Sequence, residues 1–296
     1  MSTIGFVGLG NMGAPMAANL VKSGRYVRGF DVVPASLQAA AKDGLQIVAS
    51  AGATVETADI VITMLPSGEH VLSVWNDIVP LARQGTLFID CSTIDVATAR
   101  KAHALAAGSG MATLDAPVSG GVGGAKAATL TFMVGGSTHA FERGKPVLES
   151  MGKRIVHCGE AGNGQAAKIC NNMILGISMI GVSEAFVLGE KLGLSHQALF
   201  DVASASSGQC WSLTTYCPVP GPVPASPANN GYKPGFAAAL MLKDLKLAKE
   251  AAQSVHAKTA LGAHAAQIYD LMAQEGHAGA DFSAIINLVR ERSKAG

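Results

Sequence analysis

No two cysteines in this 296-residue chain stand in a CxxC pair, and the five present (Cys91, Cys158, Cys170, Cys210, Cys217) are odd in number. That excludes a disulfide framework and a thiolate zinc site and reads as reduced thiols in a cytosolic compartment. Histidine gives no ligand pattern either, since the eight residues form neither HxxxH nor HExxH, and metal catalysis is not expected. Charge is scarce: 15% of residues are charged against a usual ~25%, and 22 Lys+Arg nearly balance 21 Asp+Glu. A disordered chain or a bulk-charge nucleic-acid binder is thereby excluded. Large buried surfaces, some between subunits, fit better, so a homo-oligomer is expected. Each of the four tyrosines (Tyr26, Tyr216, Tyr232, Tyr269) lacks a lysine four residues on, so no Tyr-x3-Lys proton-transfer pair exists.

The opening MSTIGFVGLG places a strand-like run within four residues of the initiator, which predicts no removable leader and a cytoplasmic location. The most membrane-like stretch, MILGISMIGVSEAFVLG (173–189), contains Glu184 and follows Asn171 and Asn172. A span needs ~20 predominantly apolar residues, so a helix buried by protein on all sides, with no membrane partner, is expected instead.

Up to about residue 160 the chain alternates β-type runs with helical patterns, as a parallel sheet covered by helices does. Strands are predicted at 3–7, 26–30, 60–64, 87–89, 112–114, 130–134 and 155–157. From Gly164 the β-type runs stop and a long helical pattern extends through Lys191 to a stop at Gly193. Two further helices are predicted at 239–255 and 259–274. They follow a stretch, 208–235, whose six prolines exclude core sheet or helix. Long ordered loops of this kind are often functional.

Two constellations carry chemistry. Gly8-Leu9-Gly10-Asn11-Met12-Gly13 fits GxGxxG between a strand run and a helical run. There Gly8 permits the tight turn, Gly10 lets main chain approach a pyrophosphate, and Gly13 packs helix on strand. Free N–H groups at the helix start then take the phosphates. Asp31, ending the second strand 23 residues beyond Gly8, is placed to accept hydrogen bonds from ribose hydroxyls, or else to cap the next helix. No Arg or Lys follows in Val32-Val33-Pro34 to neutralise a 2′-phosphate, so NAD is favoured over NADP. Elsewhere, Lys168 in GNGQAAKICNN shares a helix face with Asn172 at i+4. Desolvation would lower its pKa toward the range useful in general acid/base catalysis. The segment Asp115 to Gly124, DAPVSGGVGG, offers backbone N–H groups and the Ser119 hydroxyl as a cradle for a carboxylate, or is simply a flexible loop.

Taken in order, GFVGLGNMGAPMAANL, MLPSGEHV, FIDCSTID, DAPVSGGVGGA, GNGQAAKICNN and MLKDLKLA resemble the β-hydroxyacid dehydrogenase family over nearly the whole chain. The resemblance implies an α/β Rossmann N-terminal domain (1–162) plus an all-α C-terminal domain (163–296), joined by a long helix at about 164–191. Dimers or tetramers that bury that helix are implied as well. It implies that Leu65, Pro66 and His70 line the cofactor, with His70 standing where relatives often have Asn, and that Thr93 contacts it near the nicotinamide. Ser119, Gly120 and Gly121 are implied to bind substrate, Lys168 to be the acid/base, and Asn172 to orient the substrate. Lys243 is implied at the cofactor and substrate end of the cleft, and Asp244 as a structural partner on its helix. The loop 206–224 is similar to that of members acting on 3-hydroxyisobutyrate, with Trp211 and Tyr216 as a wall for a methyl group or as interdomain packing. NAD-dependent oxidation of that acid to methylmalonate semialdehyde, in valine catabolism, is the implied activity. Reduction of tartronate semialdehyde or another short semialdehyde is the alternative within the family, and a non-catalytic NAD-binding module the alternative outside it.

Overall fold

The computed structural model describes residues 2–294, and contacts divide it into two compact units, Met1–Lys168 and Ile169–Gly296. In the first unit the strands are β1 (Thr3–Val7), β2 (Tyr26–Phe30), β3 (Gln46–Ile47), β4 (Ile60–Thr63), β5 (Leu87–Asp90), β6 (Ala112–Asp115), β7 (Val118–Ser119), β8 (Leu130–Gly135) and β9 (Gly152–Gly159). The helices between them are α1 (Gly13–Lys22), α2 (Pro34–Lys42), α3 (Ala51–Val55), α4 (Gly68–Ile78), α5 (Val96–Ala107), α6 (Gly121–Lys126) and α7 (Thr138–Leu148). The strands form one sheet in the order β3-β2-β1-β4-β5-β6-β8-β7, with β9 on β8. From β3 to β6 every pairing is parallel. The expected parallel sheet is this part of it; beyond β6, β8 pairs antiparallel with β6 and β7, and β9 runs parallel to β8. The seven expected strands all form, while β3 and β7 were not foreseen, two residues being too short to show a period.

Side chains alternate between the two faces of this sheet. Ile4, Phe6, Ile62 and Ile89 enter one buried cluster with Met16 and Leu20 of α1. Val61 and Phe88 enter the other with Val71 and Trp75 of α4. Both faces being covered, the strands read as continuous apolar runs.

A 29-residue helix, α8 (Asn163–Lys191), begins in the first unit and continues into the second. It ends at Gly193, whose φ of 82° suits a left-handed stop, with the Leu194 amide donating to the Gly189 carbonyl. The second unit adds α9 (His196–Ser204), α10 (Trp211–Thr214), α11 (Ala238–Ser254), α12 (Ala260–Met272) and α13 (Ile285–Arg292). Met179 and Ile180 of α8 pack with Met241, Leu245, Tyr269 and Ile285 in its core. Two sequence expectations are corrected here. The proline-rich stretch holds α10 and a 3-10 turn at Pro227–Asn230, and its Cys217 and Val219 are fully buried. In the single chain α8 is not covered all round, for Ile174 is 64% and Leu188 59% exposed. Nor do polar residues interrupt it too soon: by length and composition alone α8 is long and apolar enough to cross a membrane, a test that the core helix of a soluble protein passes as well.

Candidate functional site

At the carboxyl end of β1 the chain turns sharply into α1. Gly8 has a φ of 95°, and a Cβ on it would lie 2.3 Å from the Met64 carbonyl oxygen. A Cβ on Gly13 would sit 1.9 Å from the Gly8 carbonyl oxygen, so helix and turn approach only because both are glycine. Gly10 is different, as its missing Cβ faces open space. That open space, beside the exposed Asn11 and the start of α1, is where main chain would meet a pyrophosphate. The fingerprint residues therefore fit a dinucleotide. Its position between β1 and β4, where the strand order reverses, is the usual ligand crevice of such sheets.

Asp31 lies just beyond β2 with both oxygens in use. Oδ2 accepts from the Leu9 amide at 2.6 Å, and Oδ1 accepts from the Val33 amide at 2.8 Å. It therefore braces the glycine turn from the neighbouring strand. It does not cap α2, whose N-cap Val33 makes no side-chain bond.

Beyond β4 and β5, Leu65 is tied to the loop that carries Thr93. The Leu65 amide donates to Ser92 Oγ at 2.8 Å, and Ser92 Oγ donates to Asp90 Oδ1 at 2.6 Å. Thr63 Oγ1 donates to the same oxygen at 2.7 Å and accepts from Trp75 Nε1 at 3.2 Å. Burial dominates these bonds and pushes the Asp90 carboxyl up to about 6. Thr93, half-buried, sits on the loop that Ser92 anchors, while Pro66 and His70 are exposed. His70 Nδ1 lies 2.7 Å from Ser67 Oγ at the start of α4.

The Asp115 to Gly124 segment divides in two. Asp115 does not belong to the cradle: it is buried, its Oδ1 accepting from the Gly162 amide and its Oδ2 from the Gln165 amide, at 2.8 and 2.9 Å. His103 Nε2 lies 2.9 Å from the same carboxylate. Asp115 thus caps the start of α8, placing an anion at the helix N-terminus. Ser119 ends β7, Gly120 is the N-cap of α6 and Gly121 opens it, the two glycines at φ of 130° and 61°. That backbone presents successive N–H groups, as a carboxylate site requires. Asn19 of α1 ties α6 down through a 2.6 Å bond to the Ala125 carbonyl.

Lys168 stands in the second turn of α8, buried at 7% exposure, with Asn172 one turn later at 2%. In the second unit the Asn172 side-chain amide donates to Asp244 Oδ2. Asp244, buried on α11 beside the half-buried Lys243, is thus the group that orients Asn172. Trp211, 48% exposed, stacks on Tyr216 at 4.9 Å. The Tyr216 hydroxyl donates to buried Asp281 at 2.9 Å, and burial followed by that carboxylate pushes the phenol well above its usual range. Asp90, Ser92, Gln165 and Asp281 escaped the sequence reading. For Gln165 the available signal was its place three positions before Lys168, on an adjoining position of the same helix face.

Among the described residues no cluster of metal-ligating side chains occurs. Residues 3–159 match a family model described as the NAD binding domain of 6-phosphogluconate dehydrogenase. Residues 162–289 match one described as NAD-binding of NADP-dependent 3-hydroxyisobutyrate dehydrogenase. A solved structure of Mycobacterium tuberculosis 3-hydroxyisobutyrate dehydrogenase with L-serine is 57% identical, with a TM-score of 0.96 over 98% of this chain and 99% of that one. A Pseudomonas aeruginosa protein named 3-hydroxyisobutyrate dehydrogenase is 52% identical, over 98% of this chain and 99% of its own. An NAD-dependent L-serine dehydrogenase of the same organism is 45% identical, over 97% and 98%.

Proposed function

From the premise that this chain belongs to the 3-hydroxyisobutyrate dehydrogenase family, we propose a mechanism in which Lys168 moves the proton as the substrate alcohol is oxidised. The chain is an NAD-dependent oxidoreductase that converts 3-hydroxyisobutyrate to methylmalonate semialdehyde, a step of valine catabolism. The observation that carries the mechanism is the burial of an amine and a carboxamide one turn apart on α8.

NAD, when bound, would supply the hydride acceptor for oxidation at the hydroxyl carbon. Gly8 to Gly13 would hold its pyrophosphate on the start of α1, Leu65, Pro66 and His70 would line it, and Thr93 would contact it near the nicotinamide. Asp31 would accept from the ribose hydroxyls with its remaining lone pairs and disfavour a 2′-phosphate by like charge. The substrate carboxylate rests on the Ser119, Gly120 and Gly121 amides, with Lys243 adding a cation. Lys168, neutral before reaction, takes the hydroxyl proton; in reverse its ammonium donates to the aldehyde oxygen. Asn172, held by Asp244, orients the reacting C–O group. Trp211 forms the apolar wall for the methyl group. L-serine differs by an amino group in place of that methyl, and two relatives carry it in their names, so a slower second activity on L-serine is also proposed.

Residues 1–162 and 163–296 are taken as the two functional domains, supported by the division of the family models between 159 and 162. A second copy, in a homodimer or homotetramer, covers the exposed face of α8, in place of a bilayer. The five free thiols support a cytoplasmic location.

Lys168→Ala should lower kcat by on the order of 10²- to 10⁴-fold while NAD affinity, read by fluorescence titration, changes little. Retained turnover would remove Lys168 from its role. Comparing kcat/KM for 3-hydroxyisobutyrate, glycerate and L-serine, with NAD and with NADP, tests specificity. A clear NADP preference contradicts the role of Asp31, and no absorbance change at 340 nm with any acid would leave a binding module.

A further inference from the structure

A glutamine near the start of a helix is ordinarily solvated, yet Gln165 is fully buried. Its carboxamide makes two bonds to one short segment. Nε2 donates to the Ser92 carbonyl at 2.7 Å, and Oε1 accepts from the Ile94 amide at 3.2 Å. Those two groups bracket Thr93. The far side of the segment is held just as firmly, because Ser92 Oγ bonds Asp90 and receives the Leu65 amide. Gln165 therefore ties the loop after β5 to α8, and Ser92 joins that loop to the one after β4.

The helix is fixed in its turn. The Gln165 amide donates to Asp115, and Gly164 allows contact with bare backbone, since a Cβ there would lie 2.4 Å from the Met133 carbonyl oxygen. Lys168 follows three residues later, on an adjoining position of the same helical surface. The loop presents one carbonyl and one N–H, so it needs a partner with both a donor and an acceptor at the end of a three-carbon reach. A carboxylate would meet the Ser92 carbonyl with no proton to give, and a leucine would leave both groups buried and unpaired.

We infer that Gln165 is a positioning residue whose carboxamide sets the separation between the Thr93 loop and the Lys168 amine. This rests on the reading of Lys168 as the acid/base group. Hydride and proton transfer depend on that separation, because a displacement of about 1 Å can cost on the order of 10²-fold.

The test compares Gln165→Glu, Gln165→Leu and Lys168→Ala in the full chain. Each is measured for thermal midpoint, NAD Kd, kcat and KM, and for the isotope effect on kcat with substrate deuterated at the hydroxyl carbon. The Gln165 variants should bind NAD within about 3-fold of the parent and lose roughly 10- to 100-fold in kcat, with a larger isotope effect. The kcat ratio of Gln165→Glu to the parent should rise as pH falls, because a protonated glutamic acid recovers a donor for the Ser92 carbonyl. The ionisable groups nearby, Asp90, Asp115, His103 and Lys168, are common to both proteins, so the ratio of variant to parent is the readout. A merely structural glutamine would lower the thermal midpoint without moving the isotope effect or this ratio. Should the leucine variant fail to fold, the glutamate variant decides. A folded Gln165 variant with kcat within about 2-fold of the parent, or a loss carried wholly by NAD affinity, overturns the inference. Inactive Lys168→Ala beside fully active Gln165 variants rejects the Gln165 role alone. Active Lys168→Ala rejects the lysine mechanism.

Discussion

Asp90 shows how a single buried carboxyl sets a measurable property. Desolvation raises it to about 6 despite bonds from Ser92 and Thr63, and its Oδ2 makes no hydrogen bond within the protein. Because the folded value lies above the unfolded one, the native state binds the extra proton between pH ~4 and ~6. Stability from this group is therefore lost as pH rises through that window. At about 1.4 kcal/mol per pH unit the loss is on the order of 3 kcal/mol. Asp90→Asn removes the titration, so the variant should gain stability relative to the parent from pH ~4 to ~6 and hold that gain above it. Urea titrations at several pH values check this, and a stability difference that does not move with pH contradicts it. Asp90 stood in plain view in FIDCSTID. Its burial was invisible, because whether a strand-end carboxylate meets water depends on what the next loops lay over it.

At the scale of elements, the stretch of six prolines is held by contacts from distant positions. Asp281 accepts bonds from the Tyr216 hydroxyl and from the Gly235 and Phe236 amides through Oδ2, and from the Ser283 amide and hydroxyl through Oδ1. Phe282 stacks on Tyr216 from the same turn. Asp281→Ala should cost roughly 3 to 4 kcal/mol, since several buried donors lose their acceptor at once. The measurement is an equilibrium unfolding curve, with Trp211 fluorescence reporting the loop; a loss below about 1 kcal/mol would show that the loop holds itself. Helix periods and glycine stops made α8, α11 and α12 legible to within two or three residues at each end. Proline counting misjudged α10, because all six prolines lie at position 218 or beyond and Trp211–Thr214 precedes them, which leaves that turn free to form.

For the whole molecule, the α8 surface through Ile174, Gly181, Ala185 and Leu188 is too apolar to be left to water. Sedimentation of the parent should give a dimer or tetramer, and Ile174→Glu with Leu188→Glu should shift it toward monomer by burying two unpaired charges. A parent that sediments as a monomer at micromolar concentration contradicts the subunit proposal. The sequence by itself determined the periodicities, the glycine turn, the acidic end of β2 and the lysine–asparagine pair, since each is a local pattern in which spacing along the chain dictates a shared face or a permitted turn. Only the tertiary structure decided that Asp115 caps α8, that Gln165 clamps the Thr93 loop and that Asp244 holds Asn172. Those bonds join residues 50, 73 and 72 positions apart at their widest, and which donor meets which acceptor is settled by packing alone.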